Sequence, residues 1–540
     1  MILEKDYRKA EAKKISDWIR IFNDSKVDED LKRIYGDNPK LISEKKSTFL
    51  KTLNEFNQIY PDKKVILIRV PGRVNLMGKH IEHRGGYVNY FCIHREIIAV
   101  ASSREDDRVI LHNVDSKFGK RSFSIEEEIP QNERGDWLGY INRVSISKGD
   151  WGNYIKAIVL AFQNRYQNKK LKGMEMMING DIPIAAGLSS SSALVVSGAI
   201  AVIAFNNLKV SKKDLTELCG EAEWYVGTRG GAGDHAAMIF GRRGFITHLR
   251  FFPFTLNLVP LSPDYEIVIC DSLKEALKSE EAKNIFNERI FTYEITLMLI
   301  KKKFPQFSHK LTHLRDVNAE NLKVKESFIY QILKFLPHSI TRKELLQKFP
   351  SEREKLERLF QTHQAPVNGY KVRDVCLFGL SECGRGKIFP HFLKNGDIQK
   401  LGKLMYVSHN GDRVVKFNDE GEKFFWDNGI SDEYLDKLIL ESDNSQKKEE
   451  AKLYMQSGGY RCSTEELDRL VDIARGVKGV MGAGLTGGGL GGCILVLVRK
   501  ENVQALLKNM KEKYYQPRGL PLAAEVCIST EGAGVLTNLS

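Results

Sequence analysis

The stretch Gly180-Asp-Ile-Pro-Ile-Ala-Ala-Gly187-Leu188-Ser189-Ser190-Ser191-Ser192-Ala-Leu-Val-Val196 sets the plan of the chain. It follows an apolar strand pattern at 174–178 and opens an apolar helix pattern at 193–205. Glycine lets a backbone approach a ligand closely, and the first turn of a helix presents unpaired N–H groups and the positive end of its dipole. Serine hydroxyls at that turn suit phosphate oxygens or magnesium, so the combination predicts a phosphate-binding site. A Ser-rich N-cap is the plain alternative. No charged residue occurs between 182 and 208, but only 193–205 is strongly apolar. That is too short to span a bilayer and predicts a buried helix.

Three further segments gather around this one. Pro71-Gly72-Arg73-Val-Asn-Leu-Met-Gly78-Lys79-His80-Ile-Glu82-His83-Arg84-Gly85-Gly86 follows a strand pattern at 64–70. It reads as a polar loop at a strand end, a place where ligand-binding groups collect. It is not a Walker-A loop, because five residues separate Gly72 from Gly78 and His80 stands where Ser or Thr belongs. Gly227-Thr-Arg-Gly-Gly-Ala-Gly233-Asp234-His235 ends a glycine turn on a carboxylate, which suits a general base, a metal ligand or a helix cap. Gly482-Ala-Gly484-Leu-Thr486-Gly487-Gly488-Gly489-Leu-Gly491-Gly492-Cys493 holds seven glycines in eleven residues before a strand pattern. Either close approach to a ligand or a tight packing turn accounts for that density.

With 540 residues the chain exceeds the size at which single cores stop growing, roughly 250–300 residues, so more than one domain is expected. Residues 1–60 have helical spacing of apolar positions, and strands then alternate with helices in an α+β arrangement. Residues 301–370 read as a helical insertion and 412–455 as a second, polar one, with the charged run 444–452 an exposed helix or loop. The net charge of +13 is spread over separate short basic groups, without zinc-ligand spacing or an aromatic-interleaved basic stripe. It therefore reads as a solvated surface that attracts anionic substrates, with no specific nucleic-acid partner. The eight cysteines form no CxxC pair and several lie in apolar runs, which predicts reduced, buried thiols. With no apolar signal core in the opening residues, the expected location is cytoplasmic, with no membrane partner.

In their order along the chain the four segments resemble those of the GHMP kinases, and the segment from Pro71 to Gly86 resembles the galactokinase signature. The sequence between them carries two shorter galactokinase-like echoes, around Ser408-His409 and around Asp468. The resemblance covers roughly residues 64–300 and 376–535. It implies a two-domain GHMP kinase fold: an N-terminal α/β ATP-binding domain at 61–260 and a ferredoxin-like C-terminal domain at 261–540, with the active site between them. The helical extension at 1–60 and the two insertions are additions to it. ATP would be the phosphoryl donor, with Mg2+, and a sugar the acceptor at its anomeric hydroxyl. Asp234 would be the base and Arg73 the cation that keeps it ionised. Lys79, His80 and Glu82 would meet the sugar, and Gly187, Leu188, Ser189, Ser190, Ser191 and Ser192 the ATP phosphates. Thr486, Gly487, Gly488 and Gly489 would form the C-terminal glycine motif, and Ser191 with Glu223 would hold the metal.

The chain departs from galactokinases at Lys79, where they carry Glu, at Glu82 (Asp), at His83 (Tyr) and at His235 (Gln). An ammonium at 79 could pair with the carboxylate of a uronic acid, as the similarity to plant galacturonokinases suggests, or it could simply face solvent. A catalytically reduced sugar sensor is the reading from another class; the presence of both Arg73 and Asp234 favours the enzyme.

Overall fold

The computed structural model describes residues 3–147, 149–227, 230–274, 280–418, 420–537 and 539, so Thr228 and Arg229 of the third glycine segment lie outside the described residues. A mixed ten-stranded sheet forms the first half of the fold. Its centre is the antiparallel pair Lys64–Met77 and Val88–Ser103, with Met174–Gly180 antiparallel to the second strand and Arg108–Asn113 parallel to Met174–Gly180. Both chain ends join this sheet. Gly534–Leu536 pairs on one side with Lys64–Met77 and on the other with Leu3–Glu4.

The first central strand is longer than its sequence pattern suggests. It runs on through Pro71 and Gly72 to Met77, where a loop was expected. The register shifts between Pro71 and Arg73 and again between Asn75 and Met77. Such bulges let a strand carry a proline, which has no N–H for the ladder, and they re-aim the side chains beside them. Arg73 and Asn75 are thus presented from a rigid strand.

Against this sheet lies the helix Ser190–Asn206, the buried helix predicted from its apolar run. Val195, Val196, Ala199 and Ile200 have no exposed surface. Burying an aliphatic side chain of this size contributes roughly 1.5–3 kcal/mol. No helix among the described residues is long and apolar enough to cross a membrane. The helices Ile15–Asn23, Val27–Tyr35 and Pro39–Ile59 cover the sheet's other face, through a cluster that includes Trp18, Phe22, Phe49 and Val65.

The second sheet has four antiparallel strands, ordered Val480–Leu485, Cys493–Arg499, Tyr265–Asp271 and Ala524–Val526. The helices Glu465–Arg475 and Val503–Met510 share its core. A third core lies among the helices Glu280–Lys303, Glu326–Phe335 and Val372–Lys394; of these only Glu326–Phe335 falls wholly within the first stretch that reads as inserted. Residues 444–450 are exposed, Ala451 is buried and Lys452 half-buried. All eight cysteines are unpaired and buried.

Candidate active site

The phosphate-loop segment begins its helix at Ser190, with Ser189 as N-cap in the left-handed region at φ +65°. Gly187 precedes it at φ +77°, which glycine adopts without strain. Ser189 and His80, at φ +62°, are non-glycine residues in the same region. Such conformations persist where surrounding contacts fix them, and they concentrate at functional sites. Ser190 and Ser191 are half-buried at the open first turn, where an anion would meet the helix N-terminus.

Arg73 joins three of the four segments. Its Nε donates to Asp234 Oδ1 at 2.7 Å and its Nη2 to Oδ2 at 2.6 Å, while Nη1 donates to the carbonyl of Gly187 at 2.8 Å. The backbone N–H of Arg73 also donates to the Leu188 carbonyl at 3.3 Å. The paired bonds to Asp234 match the fork of a guanidinium to a carboxylate, the strongest geometry for such a pair. Ser189 Oγ donates to Asp234 Oδ2 at 2.5 Å. Burial works to raise the Asp234 carboxyl, but the Arg73 charge, its two hydrogen bonds and the Ser189 hydroxyl outweigh it, so Asp234 titrates below the usual carboxylate range. The Asp234 side chain keeps 27% of its surface exposed against 7% for Arg73, so the carboxylate is the member of the pair a substrate can reach.

Glu82 reaches the same turn from the other side. Its Oε1 accepts the N–H of Gly233 at 2.7 Å and its Oε2 accepts from Tyr90 at 3.3 Å. A β-carbon on Gly231 or Gly233 would lie 1.8 or 2.1 Å from the Glu82 carboxylate, which explains why the turn is built from glycine. Burial, followed by the charge of Asp234, pushes the Glu82 carboxyl up to about 7.

Lys79 and His80 both lie against Asp412. The Lys79 ammonium is 3.2 Å from Asp412 Oδ2, and the side chains keep 3% and 0% of their surface. It does not face solvent, which corrects that reading of the residue, and its charge is paired within the protein. His80 Nε2 is 3.4 Å from Asp412 Oδ1, and its ring stacks on Tyr460 at 4.3 Å between centroids. The backbone N–H groups of Gly78 and Lys79 both donate to Glu382 Oε1, at 2.8 and 3.0 Å, and Arg385 holds the other oxygen of that carboxylate. Asp412, Glu382, Tyr90 and Tyr460 carried no motif in the sequence; only their distance in space from the loop marks them out.

The serine that meets Glu223 is also shifted. Ser192, one position beyond the expected Ser191, donates to Glu223 Oε1 at 2.9 Å. A helix turns about 100° per residue, and this helix begins at Ser190, so Ser191 and Ser192 project in different directions. His235 is fully buried and lies 3.8 Å from the same Glu223 oxygen.

The C-terminal glycine motif closes on the phosphate loop itself. A β-carbon on Gly187 would stand 2.9 Å from the Thr486 carbonyl, and one on Gly487 would stand 2.8 Å from the Gly187 carbonyl. Thr486 Oγ1 accepts the N–H of Asn75 at 2.9 Å, and the Cys493 N–H donates to the Ala186 carbonyl at 3.2 Å. Gly489 packs on the Cys462 carbonyl, whereas Gly488 has open space around it. Beneath this motif the two shorter echoes meet: His409 Nε2 lies 3.1 Å from Asp468 Oδ1, both fully buried, and Ser463 donates to the same oxygen at 2.6 Å.

Family models agree with this assembly. That of the GHMP kinases N terminal domain matches residues 153–242, that of the galactokinase galactose-binding signature residues 54–103, and that of the GHMP kinases C terminal residues 433–516. The chain is 27% identical to the galactokinase of Dictyostelium discoideum over 520 residues, covering 90% of each chain. It is 25% identical to that of Roseiflexus sp. over 480 residues, covering 89% of this chain and 95% of the relative. The fold is similar to that of Lactococcus lactis galactokinase crystallised with galactose, with a TM-score of 0.61 and 24% identity over 89% of this chain and 97% of that one.

Proposed function

We propose, from the premise that this chain belongs to the GHMP kinase superfamily and within it to the galactokinase family, that it phosphorylates the anomeric hydroxyl of galactose or a closely related sugar. The chain is an ATP-dependent phosphotransferase, a galactokinase-like sugar kinase. The observation that carries the finer reading is the Arg73–Asp234 pair. It sits between the phosphate loop, which Arg73 touches at Gly187, and the loop of the galactose-binding signature, which reaches the same turn through Glu82.

Each oxygen of an ionised carboxylate offers about two acceptor sites. Asp234 Oδ2 spends both, on Arg73 and Ser189, while Oδ1 spends one on Arg73 and keeps one for a sugar hydroxyl. In our reading the sugar O–H gives its proton to Oδ1 as its oxygen bonds to the γ-phosphorus. The bond from that phosphorus to the bridging oxygen breaks, and ADP leaves with the electron pair. A carboxylate held below its usual range is a weak base, so it takes the proton only once the new O–P bond has formed substantially. Phosphoryl transfer, which relies chiefly on positioning and electrostatics, tolerates such a base.

Arg73 places charge beside both the phosphate loop and the base. Ser189 to Ser192 offer the helix N-terminus to the phosphates. Ser192 and Glu223 would supply hard oxygen ligands of the kind magnesium prefers, and nucleotide phosphates would complete such a shell. When bound, Mg2+ would neutralise phosphate charge. The test is sugar-dependent ADP release by the wild-type protein and by Asp234→Asn.

A further inference from the structure

The buried face of the helix Pro39–Ile59 runs from Leu41 to Phe56 at the spacing of a stripe turned to a core, and two of its members are polar. Lys45 keeps 2% of its surface and Thr52 none. Both meet the chain just ahead of the phosphate loop. Thr52 Oγ1 accepts from Asn179 Nδ2 at 3.0 Å, and Lys45 Nζ donates to Asp181 Oδ2 at 2.9 Å. Residues 179 and 181 are alternate positions where the strand Met174–Gly180 ends, so their side chains project to the same side. Docking of the helix does not require these contacts. Phe49, Leu53 and Phe56 have no exposed surface and seat it on the sheet. Apolar residues commonly replace a buried ion pair at no loss of stability, so a lysine on this face points to a role beyond docking.

We propose that the N-terminal helical extension positions the phosphate loop for nucleotide, with Lys45 and Thr52 as the positioning residues. This rests on the reading of residues 187–192 as the site of the ATP phosphates. The segment 181–188 is pinned at its far end by Arg73, which bonds the carbonyls of Gly187 and Leu188, and by the Cys493 N–H on the Ala186 carbonyl. At its near end Asp181 Oδ1 accepts the N–H of Glu96 at 2.6 Å, and the Asp181 N–H donates to the Glu96 carbonyl at 3.1 Å. Lys45 takes the other carboxylate oxygen. Arg95 lies 3.7 Å from that oxygen but spends its fork on Glu525 of the second sheet, which leaves Lys45 as the nearer cation. The ammonium is also 3.2 Å from Glu96 Oε1, and Tyr35 and Arg69 take the remaining bonds of that carboxylate. Ile184, between the two pins, is exposed, so the segment stands out from the core and its course depends on where its ends are held. A displacement of about 1 Å at a reacting site costs on the order of 10²-fold in rate, which is the scale on which such a pin matters.

The test is calorimetric titration of a non-hydrolysable ATP analogue with magnesium into the full chain, beside the KM values for ATP and galactose. Lys45→Met and Asp181→Asn should each weaken the analogue by about three- to thirtyfold and raise the ATP KM to match, with the galactose KM within about twofold of wild type. Asp181 keeps 38% of its side-chain surface exposed, so Asp181→Asn folds even where Lys45→Met, which unpairs buried carboxylates, does not. The double variant should bind the analogue no more weakly than the weaker single, because the two side chains make one contact. A merely structural role would lower stability and leave nucleotide affinity unmoved. Unchanged affinity in a folded Asp181→Asn overturns the proposal. Ser191→Ala then separates the two readings: if it weakens the analogue, only the role of the extension fails, and if it does not, the phosphate-loop reading fails as well.

Discussion

Glu82 accepts the backbone N–H of Gly233 at 2.7 Å, which ties the sugar loop to the residue that precedes Asp234. The loop and the base are thereby one mechanical unit, and the carboxyl that joins them titrates at about 7. That value has two consequences of opposite sign.

For activity, the ionised form of Glu82 is the one that holds Gly233 and Tyr90 as acceptor. The sugar kcat/KM should rise between pH 6 and pH 8 with an inflection at about 7, and Glu82→Gln should remove that inflection. For stability, the folded-state value stands above the ordinary 4.5, so the folded chain binds the proton more tightly than the unfolded one. The stability this contributes is complete below 4.5 and is lost as the pH rises through about 7. Thermal melts of wild type and Glu82→Gln should accordingly converge, or cross in favour of the variant, as the pH is raised. A variant that keeps the activity inflection assigns it to another group.

Magnesium dependence separates the two serines. Ser192→Ala and Glu223→Gln should each raise the magnesium concentration needed for half-maximal rate, by roughly three- to thirty-fold, as expected from losing one charge-assisted contact. Ser191→Ala should act mainly on ATP affinity. The measurement is initial rate against magnesium at saturating ATP and sugar; equal magnesium curves for Ser192→Ala and the wild type would remove Ser192 from the metal site.

The buried pair His409–Asp468 belongs to the frame rather than to the chemistry. Asp468 also accepts from Ser463 and from the N–H groups of Val414 and Val415. Asp468→Ala orphans these donors and should cost about 2–4 kcal/mol, seen as a lower denaturant midpoint at unchanged slope. KM values for ATP and sugar should stay within about twofold of wild type while the protein remains folded.

The features legible in the sequence are local ones. A glycine at positive φ, serines at a helix start and a carboxylate at the end of a glycine turn each leave a short signature, and Arg73, Gly187, Ser189 and Asp234 do meet in space. What the sequence hid depends on pairing across distance. Asp412 and Lys79 lie 333 positions apart, and Glu382 lies 304 from Gly78; each of these acidic residues is a single carboxylate among many. Lys79 alone could be read as a free cation because nothing near it in the chain reveals its partner. The strand through Pro71 was hidden for another reason, since proline and glycine normally end a strand and only the bulges allow this one to continue. Four successive serines, finally, give no phase, and only the observed start of the helix at Ser190 shows that Ser192 turns toward Glu223.

Asp234 is the group on which turnover depends most directly, and the decisive measurement is ADP release by wild type and Asp234→Asn with galactose, galacturonate, glucuronate, arabinose and N-acetylgalactosamine, each with ATP and magnesium. Sugar-dependent turnover is expected in the wild type, highest with galactose or a close neutral relative. A folded Asp234→Asn should lose kcat by a factor on the order of 10²–10⁴. Turnover that survives the substitution undiminished, or a folded wild type that no sugar stimulates, would contradict this reading.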